Sequence, residues 1–151
     1  MKYLLLLAAA ALALLAWTGC SKDDQAQLDR DAILQYLNDK GLSATEHSSG
    51  IFHIIDPPGS GGNPTLSSTV TVKYKGYYLD GVVFDQTTGS ETATFALSGL
   101  IEGWKIAIPL LQKGGKGLFL IPSGLAYGAY PPAGVRANAP MAFEIELISF
   151  K

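Results

Sequence analysis

The sequence has little of several features that would point to particular folds and functions. Its 151 residues include one cysteine, which excludes an intramolecular disulfide. Charged residues make up 16% of the chain and the formal net charge is -2. The sequence contains no block of basic residues that could bind along a phosphate backbone, so no nucleic-acid partner is expected. The one long apolar run, residues 3–17, is shorter than the roughly 20 residues that a membrane-spanning helix needs.

The composition that is present favours a single β-rich domain with some helix. Apolar residues make up 48% of the 151 residues, which is enough for one hydrophobic core. A chain of this length is short for two domains. The 17 glycines and 8 prolines cluster between short apolar runs, as turns do between strands.

The N-terminus has the pattern of a secretory signal peptide covering residues 1–19. Lys2 supplies the basic start, the apolar run follows, and Thr18 and Gly19 are the small residues that precede the cysteine. An uncleaved membrane helix is the alternative interpretation of the same residues.

Cys20 resembles the lipidated cysteine of a bacterial lipoprotein signal. The resemblance implies that diacylglycerol is attached to the thiol, that Cys20 becomes the mature N-terminus, and that the protein is anchored to the cell envelope. Trp17 stands where such signals usually have leucine. An ordinary signal peptide followed by an unpaired cysteine is the alternative.

Residues 20–42 are expected to form a lipid tether and an N-terminal helix. The charged residues 21–24 are either the start of a solvated linker or a sorting signal toward the outer membrane and its outer surface. Apolar residues then recur near a 3.6-residue period, and Gly41 follows as a stop, which predicts a helix over 25–40. This helix is expected to pack on its own domain, the alternative being a second copy of itself.

The remainder of the chain has the signals of a β domain. Val70, Val72 and Tyr74 alternate with polar residues, and the pair Asp80-Gly81 between two apolar runs predicts a hairpin to a strand over 82–85. Further strands are predicted at 51–55, 94–97, 116–122 and 141–150, a helical stretch at 103–112, and long loops at 57–64 and 123–140.

Several motifs of this region occur together in one family. They are Val72-Lys-Tyr74-Lys-Gly76, Leu79-Asp-Gly81-Val-Val-Phe84-Asp85, Leu100-Ile101-Glu-Gly103-Trp104, Ile121-Pro, Ala126-Tyr127-Gly128 and Phe143-Glu-Ile-Glu146-Leu147. In order and spacing they resemble the FKBP family of peptidyl-prolyl cis-trans isomerases. The resemblance implies an α+β fold for residues 43–151, in which an antiparallel sheet of five or six strands wraps around one short helix.

The resemblance also implies the residues of the isomerase site. Trp104 would form the floor under a prolyl ring. Tyr127 would offer its hydroxyl from the flap, the loop that lies over the site, and Asp85 would polarise the site. The walls are Tyr74, Phe84 and Phe143, with Leu100 and Ile101 as an aliphatic side and the Ile101 N–H holding a substrate carbonyl. Taken singly, each of these aromatic residues is typical of an ordinary hydrophobic core, and Asp85 is typical of a turn.

Three departures from the family pattern affect specificity. Ala93 aligns where the family has a second phenylalanine, and residues 86–92 contain no arginine to support Asp85. The flap reads Val135-Arg136-Ala137-Asn138 in place of the family's Ile-Pro-Pro-Asn. The resemblance implies the macrolide inhibitors of the family as possible ligands, while these departures leave their affinity and the preferred residue before proline open.

The functional expectation is an envelope-anchored isomerase that acts on proline-containing peptides and folding proteins without a cofactor or metal. Lipid on Cys20 would be its link to the membrane, with the outer membrane as the expected location. Two alternatives are open. The altered flap favours a non-catalytic module that binds proline-containing segments. Residues 22–24 alone favour a host-facing surface factor.

Overall fold

The computed structural model describes residues 21–151, so the predicted signal peptide and Cys20 lie outside the described residues. Two α-helices and seven strands make up the fold. In chain order they are α1 (Lys22–Lys40), β1 (Thr45–Glu46), β2 (Phe52–Ile55), β3 (Thr69–Tyr78), β4 (Val83–Gln86), β5 (Ala93–Ala96), α2 (Glu102–Ala107), β6 (Lys116–Ile121) and β7 (Met141–Phe150). Short 3-10 turns cover Leu97–Gly99, Ile108–Leu110 and Ser123–Leu125.

Helix α1 begins three residues earlier than predicted. The Ser21 hydroxyl accepts a hydrogen bond from the Asp24 N–H at 3.1 Å, and the Asp24 carboxylate accepts one from the Ser21 N–H at 3.0 Å. This reciprocal capping box satisfies backbone donors that the first turn would leave free. The charged residues 22–24 are therefore the first turn of the helix rather than linker. Gly41 ends the helix in the left-handed conformation at φ 63°, as predicted.

The seven strands form one antiparallel sheet in the order β1-β2-β6-β7-β3-β4, with β5 also paired to β3. Strand β3 organises the sheet, because β7 pairs along one edge while β5 and β4 share the other. The α+β class is confirmed. The sheet has more strands than the expected five or six, since the two-residue β1 adds to its edge.

The sheet separates two hydrophobic cores. On one face α2 packs through Trp104 and Ala107 on side chains such as Phe119 and Ile121. On the other face, Ile33 and Leu37 of α1 pack on Phe52, Tyr77, Leu120 and Ala142. The alternation of neighbours such as Phe119 and Leu120 between the two faces follows from the two-residue period of a strand. Helix α1 thus packs on its own domain, as expected.

Other local predictions hold with shifted ends. The Asp80-Gly81 pair forms the β3–β4 turn, with Gly81 at φ 89°, where glycine carries no steric penalty. The predicted helix over 103–112 ends at Ala107 and continues as the 3-10 turn that contains Pro109. Proline has no N–H to donate and fits the first turn of a helix better than its interior, so it limits regularity here. Within residues 21–151 no helix combines the length and hydropathy that crossing a membrane requires.

Candidate active site

A cleft of about 180 Å³ opens on the face of the sheet that carries α2. All eight predicted site residues line it, together with one that the sequence interpretation missed. They are Tyr74, Phe84, Asp85, Phe95, Leu100, Ile101, Trp104, Tyr127 and Phe143. The structure thus brings β3, β4, β5, α2, β7 and the loop after β6 to one place.

Trp104 lies at the centre of the cleft. Its ring is contacted edge-on by Tyr74, Phe143 and Phe95, with centroid distances of 5.2, 5.4 and 6.0 Å and interplanar angles of 83°, 88° and 83°. Such perpendicular pairs are the favourable arrangement of aromatic quadrupoles and contribute about 0.5–1.5 kcal/mol each beyond area burial. The indole is 4% exposed, and its Nε1 has no hydrogen-bond partner among the described residues.

Helix α2 can place this ring because Gly103 lies against the sheet. A Cβ on Gly103 would collide with the Ile121 side chain, so any larger residue would push the helix away from β6. The glycine that precedes Trp104 is therefore a packing requirement of the site.

Asp85 and Tyr74 form the polar edge of the cleft. The Tyr74 hydroxyl donates a hydrogen bond of 2.5 Å to the Asp85 carboxylate. Burial and then this hydrogen bond raise the pKa of Tyr74 well above its usual value, so the phenol stays protonated and the donor is retained at neutral pH. No basic side chain of residues 21–151 forms an ion pair with Asp85, in keeping with the absence of arginine from residues 86–92.

Two further polar groups belong to residues that line the cleft, Tyr127 and Ile101. Tyr127 is 37% exposed, and burial followed by the nearby Asp85 charge and Tyr78 raises the pKa of its hydroxyl. The Ile101 N–H, at the start of α2, donates no hydrogen bond within residues 21–151. A phenolic donor and a free backbone donor at the rim can both be offered to carbonyl groups of a bound chain.

The additional wall residue is Phe95. Its ring packs against Tyr74 at 6.3 Å and against Trp104, so β5 supplies an aromatic wall although Ala93 stands where the family has a second phenylalanine. Residues 93 and 95 point to the same side of β5 because side chains alternate along a strand. The alternation of Ala93 and Phe95 along the strand was the signal that could have located this wall residue.

A second, larger cleft of about 800 Å³ lies between the first turns of α1 and the turn after β6. No aromatic ring lines it, so it lacks the surface on which a prolyl ring would pack. Among residues 21–151 no group of three or more His, Cys, Asp and Glu side chains could hold a metal ion. The ring-lined cleft around Trp104 is therefore the candidate active site.

Comparison with known proteins agrees with this geometry. Residues 61–148 match the family model of the FKBP-type peptidyl-prolyl cis-trans isomerases. The chain is 33% identical over 138 residues to the FKBP-type isomerase FkpA of Escherichia coli, covering 84% of this chain and 50% of that protein. It is 39% identical over 123 residues to the outer membrane protein MIP of Legionella longbeachae, covering 75% and 52%.

Solved structures have the same fold. The crystal structure of FkpA from Escherichia coli superposes with a TM-score of 0.75 at 33% identity, over 85% of this chain and 60% of that one. A peptidyl-prolyl cis-trans isomerase of Pseudomonas syringae gives 0.72 at 32% identity, over 89% and 98%. The chain spans about half the length of the curated relatives FkpA and MIP. With the family model matching more than half of its length, this chain belongs to the FKBP-type peptidyl-prolyl cis-trans isomerase family.

Proposed function

We propose that this protein is a peptidyl-prolyl cis-trans isomerase that acts on X-Pro bonds of proteins folding outside the cytoplasm. The observation that carries the proposal is the cleft around Trp104, where all eight predicted site residues meet. The family membership supports the same reaction.

The reaction needs a pocket rather than a nucleophile, a metal or a cofactor. The X-Pro bond rotates over a barrier of about 20 kcal/mol because amide resonance is lost at the twisted midpoint. No bond is made or broken, so a catalyst has to bind the twisted amide better than the planar one. A thousandfold acceleration requires only about 4 kcal/mol of such differential binding.

The cleft has the parts for this task. The prolyl ring would pack on Trp104 between aromatic walls that exclude water, which favours the less polar twisted amide over the planar one. The Ile101 N–H and the Tyr127 hydroxyl would hold carbonyl groups on either side of the bond. Asp85, oriented by the Tyr74 hydroxyl, would add a fixed negative charge beside the rotating amide.

The test is a proline cis-to-trans exchange assay on a short peptide. Tyr127→Phe removes the flap hydroxyl and should lower kcat/KM by about three- to tenfold, the value of one hydrogen bond. Tyr130→Phe is the matched control, because Tyr130 lies on the same loop and is 97% exposed. Trp104→Ala should slow exchange further while circular dichroism shows a folded protein. Exchange by the unmodified protein no faster than in buffer would overturn the enzyme proposal.

A non-catalytic module that binds proline-containing segments is the second candidate. The flap sequence Val135–Asn138 and the lack of an ion pair to Asp85 among residues 21–151 favour it, because both alter how a substrate would be held. It predicts saturable binding of a proline-containing peptide, with exchange no faster than in buffer.

The location we propose is the bacterial envelope, with lipid on Cys20 as the anchor and the outer membrane as the membrane concerned. The small residues Thr18 and Gly19 before Cys20 resemble a lipoprotein signal and so support the anchor. The relative from Legionella longbeachae is named an outer membrane protein. The labelling experiment given in the Discussion tests this assignment.

A further inference from the structure

The flap, defined here as residues 122–140 between β6 and β7, is attached to the β3–β4 hairpin by one residue. The Arg136 guanidinium donates a hydrogen bond of 2.6 Å to the Asp80 carboxylate. Its central carbon lies 4.2 Å from the centre of the Tyr78 ring, and the Arg136 backbone N–H donates to the Tyr78 hydroxyl at 3.0 Å. Arg136 therefore combines an ion pair, a cation–π contact and a backbone hydrogen bond.

These are the hydrogen bonds that join the flap tip, residues 129–137, to another part of the described chain. The other hydrogen bond of the tip, from the Val135 N–H to the Pro132 carbonyl, is internal to it. At its base the flap is closed by the Asn138 N–H bonded to the Gly128 carbonyl at 2.8 Å. Without the Arg136 side chain the tip would be held to the domain by its backbone hydrogen bond to Tyr78 and by apolar contacts such as that of Val135.

Tyr78 connects this attachment to the cleft. Its side chain is 5% exposed, and its ring lies 5.0 Å from that of Phe84, a wall of the cleft. Tyr127 lies next to the hydrogen bond that closes the base of the flap. One buried ring therefore lies against a wall of the cleft, and Arg136 covers it from outside.

We propose that Arg136 is a positioning residue that latches the flap tip onto Tyr78 and Asp80, so that Tyr127 and Phe84 are held ready for the prolyl peptide. The proposal rests on the proposed isomerase function. A latched flap does not have to be ordered when the peptide binds, and preorganisation of this kind improves affinity. Loss of the latch should therefore raise KM more than it lowers kcat.

The test compares variants of the full-length protein in detergent by the exchange assay. Arg136→Ala should raise KM by about five- to tenfold, on the strength of a cation–π contact and an exposed ion pair, with kcat within about twofold. Asp80→Asn should give a smaller increase, and Arg136→Lys, which keeps the charge, should recover part of the affinity. Lys113→Ala removes an equivalent surface charge away from the cleft and is the matched control.

Ionic strength separates positioning from a purely structural role. Salt screens an exposed ion pair, so the KM of the unmodified protein should rise in high salt toward that of Arg136→Ala, whose own KM should change less. A structural role alone would lower the melting temperature and the active fraction and leave KM unchanged. Equal KM values for Arg136→Ala and the unmodified protein at low salt would overturn the proposal.

Hydrogen exchange tests the latch without relying on turnover. The Val135 and Arg136 amides, which are hydrogen-bonded in the latched tip, should exchange at least about tenfold faster in Arg136→Ala, since an unlatched tip opens more often, while amides of β7 stay protected. An unchanged exchange rate of the tip would overturn the latch. Absence of isomerase activity in the unmodified protein would instead overturn the proposed function, and the exchange of the flap amides would still decide the role of Arg136.

Discussion

Two walls of the cleft can approach each other because a single residue of β3 has no side chain. Gly76 lies opposite Asp85 of β4 and Phe143 of β7 in the sheet register. A Cβ at this position would lie 2.7 Å from the Phe84 ring and 2.8 Å from the Phe143 ring. These rings pack edge to face at 5.6 Å, so the space that glycine leaves free is filled by the walls themselves.

Gly76→Ala should therefore damage both the fold and the site. Forcing a methyl group into a packed core costs about 1–3 kcal/mol, and here the displaced rings are the walls. We expect a lower urea midpoint together with a reduced kcat/KM. Gly62→Ala is the control, because a Cβ there meets nothing within 4 Å. Wild-type activity and stability in Gly76→Ala would contradict the close packing.

The alternation of side chains explains the one wall residue that the sequence interpretation missed. Phe95 and Ala93 lie on the same side of β5, and motif spacing alone does not tell which of them reaches Trp104. The pairing of Val72 with Ala93 and of Val70 with Phe95 decides it. Register between strands is a tertiary property, because it depends on which residues the neighbouring strand presents.

At the scale of elements, helix α1 is tied to the turn that carries the flap tyrosine. The Asp29 carboxylate, 2% exposed, accepts a hydrogen bond of 2.7 Å from the Ser123 N–H and another of 2.7 Å from the Gln25 amide. The Ser123 carbonyl in turn accepts from the N–H groups of Ala126 and Gly128. A buried acid on the helix thus holds the start of the loop that contains Tyr127.

Asp29→Ala should loosen this connection. The Ser123 N–H would lose a charged acceptor in a buried position, which costs about 1.5–3 kcal/mol. We expect the free energy of unfolding, measured by urea titration, to fall by that amount. Asp31→Ala, which removes an exposed carboxylate of the same helix, should change it by less than about 0.5 kcal/mol. Equal effects of the two substitutions would refute the special role of Asp29.

At the scale of the whole molecule, the sheet lies between two helices that serve different purposes. Helix α2 carries Trp104 into the cleft on one face, while α1 covers the opposite face and begins at Lys22. Because the capping box starts the helix early, Ser21 alone separates α1 from Cys20. A lipid on Cys20 would hold the folded domain directly at the membrane rather than on a long flexible tether.

Cys20→Ser tests this arrangement. In a bacterial host that processes lipoproteins, the unmodified protein should incorporate labelled fatty acid and sediment with membranes, because the proposed site of acylation is the Cys20 thiol. The serine variant should do neither. Ser21→Ala, which keeps the thiol, should be labelled normally. Continued labelling of Cys20→Ser would overturn the lipid assignment.

The amino-acid sequence by itself was sufficient for the family, for the approximate position of most elements and for eight residues of the cleft. Its local signals account for this: two-residue alternation, the Asp-Gly turn, Gly41 at the helix end and motifs in a fixed order. Signals of this kind depend on neighbours in the chain, so they can be interpreted without the fold.

Only the tertiary structure decided how α1 and the flap relate to the cleft. The hydrogen bond between Asp29 and Ser123 joins residues 94 positions apart, and that between Tyr78 and Arg136 joins residues 58 positions apart. No local pattern pairs a helical aspartate with a distant backbone N–H, or a flap arginine with a tyrosine of β3. Such contacts form because the sheet brings distant segments together, and they decide how the residues of the cleft are held in this chain.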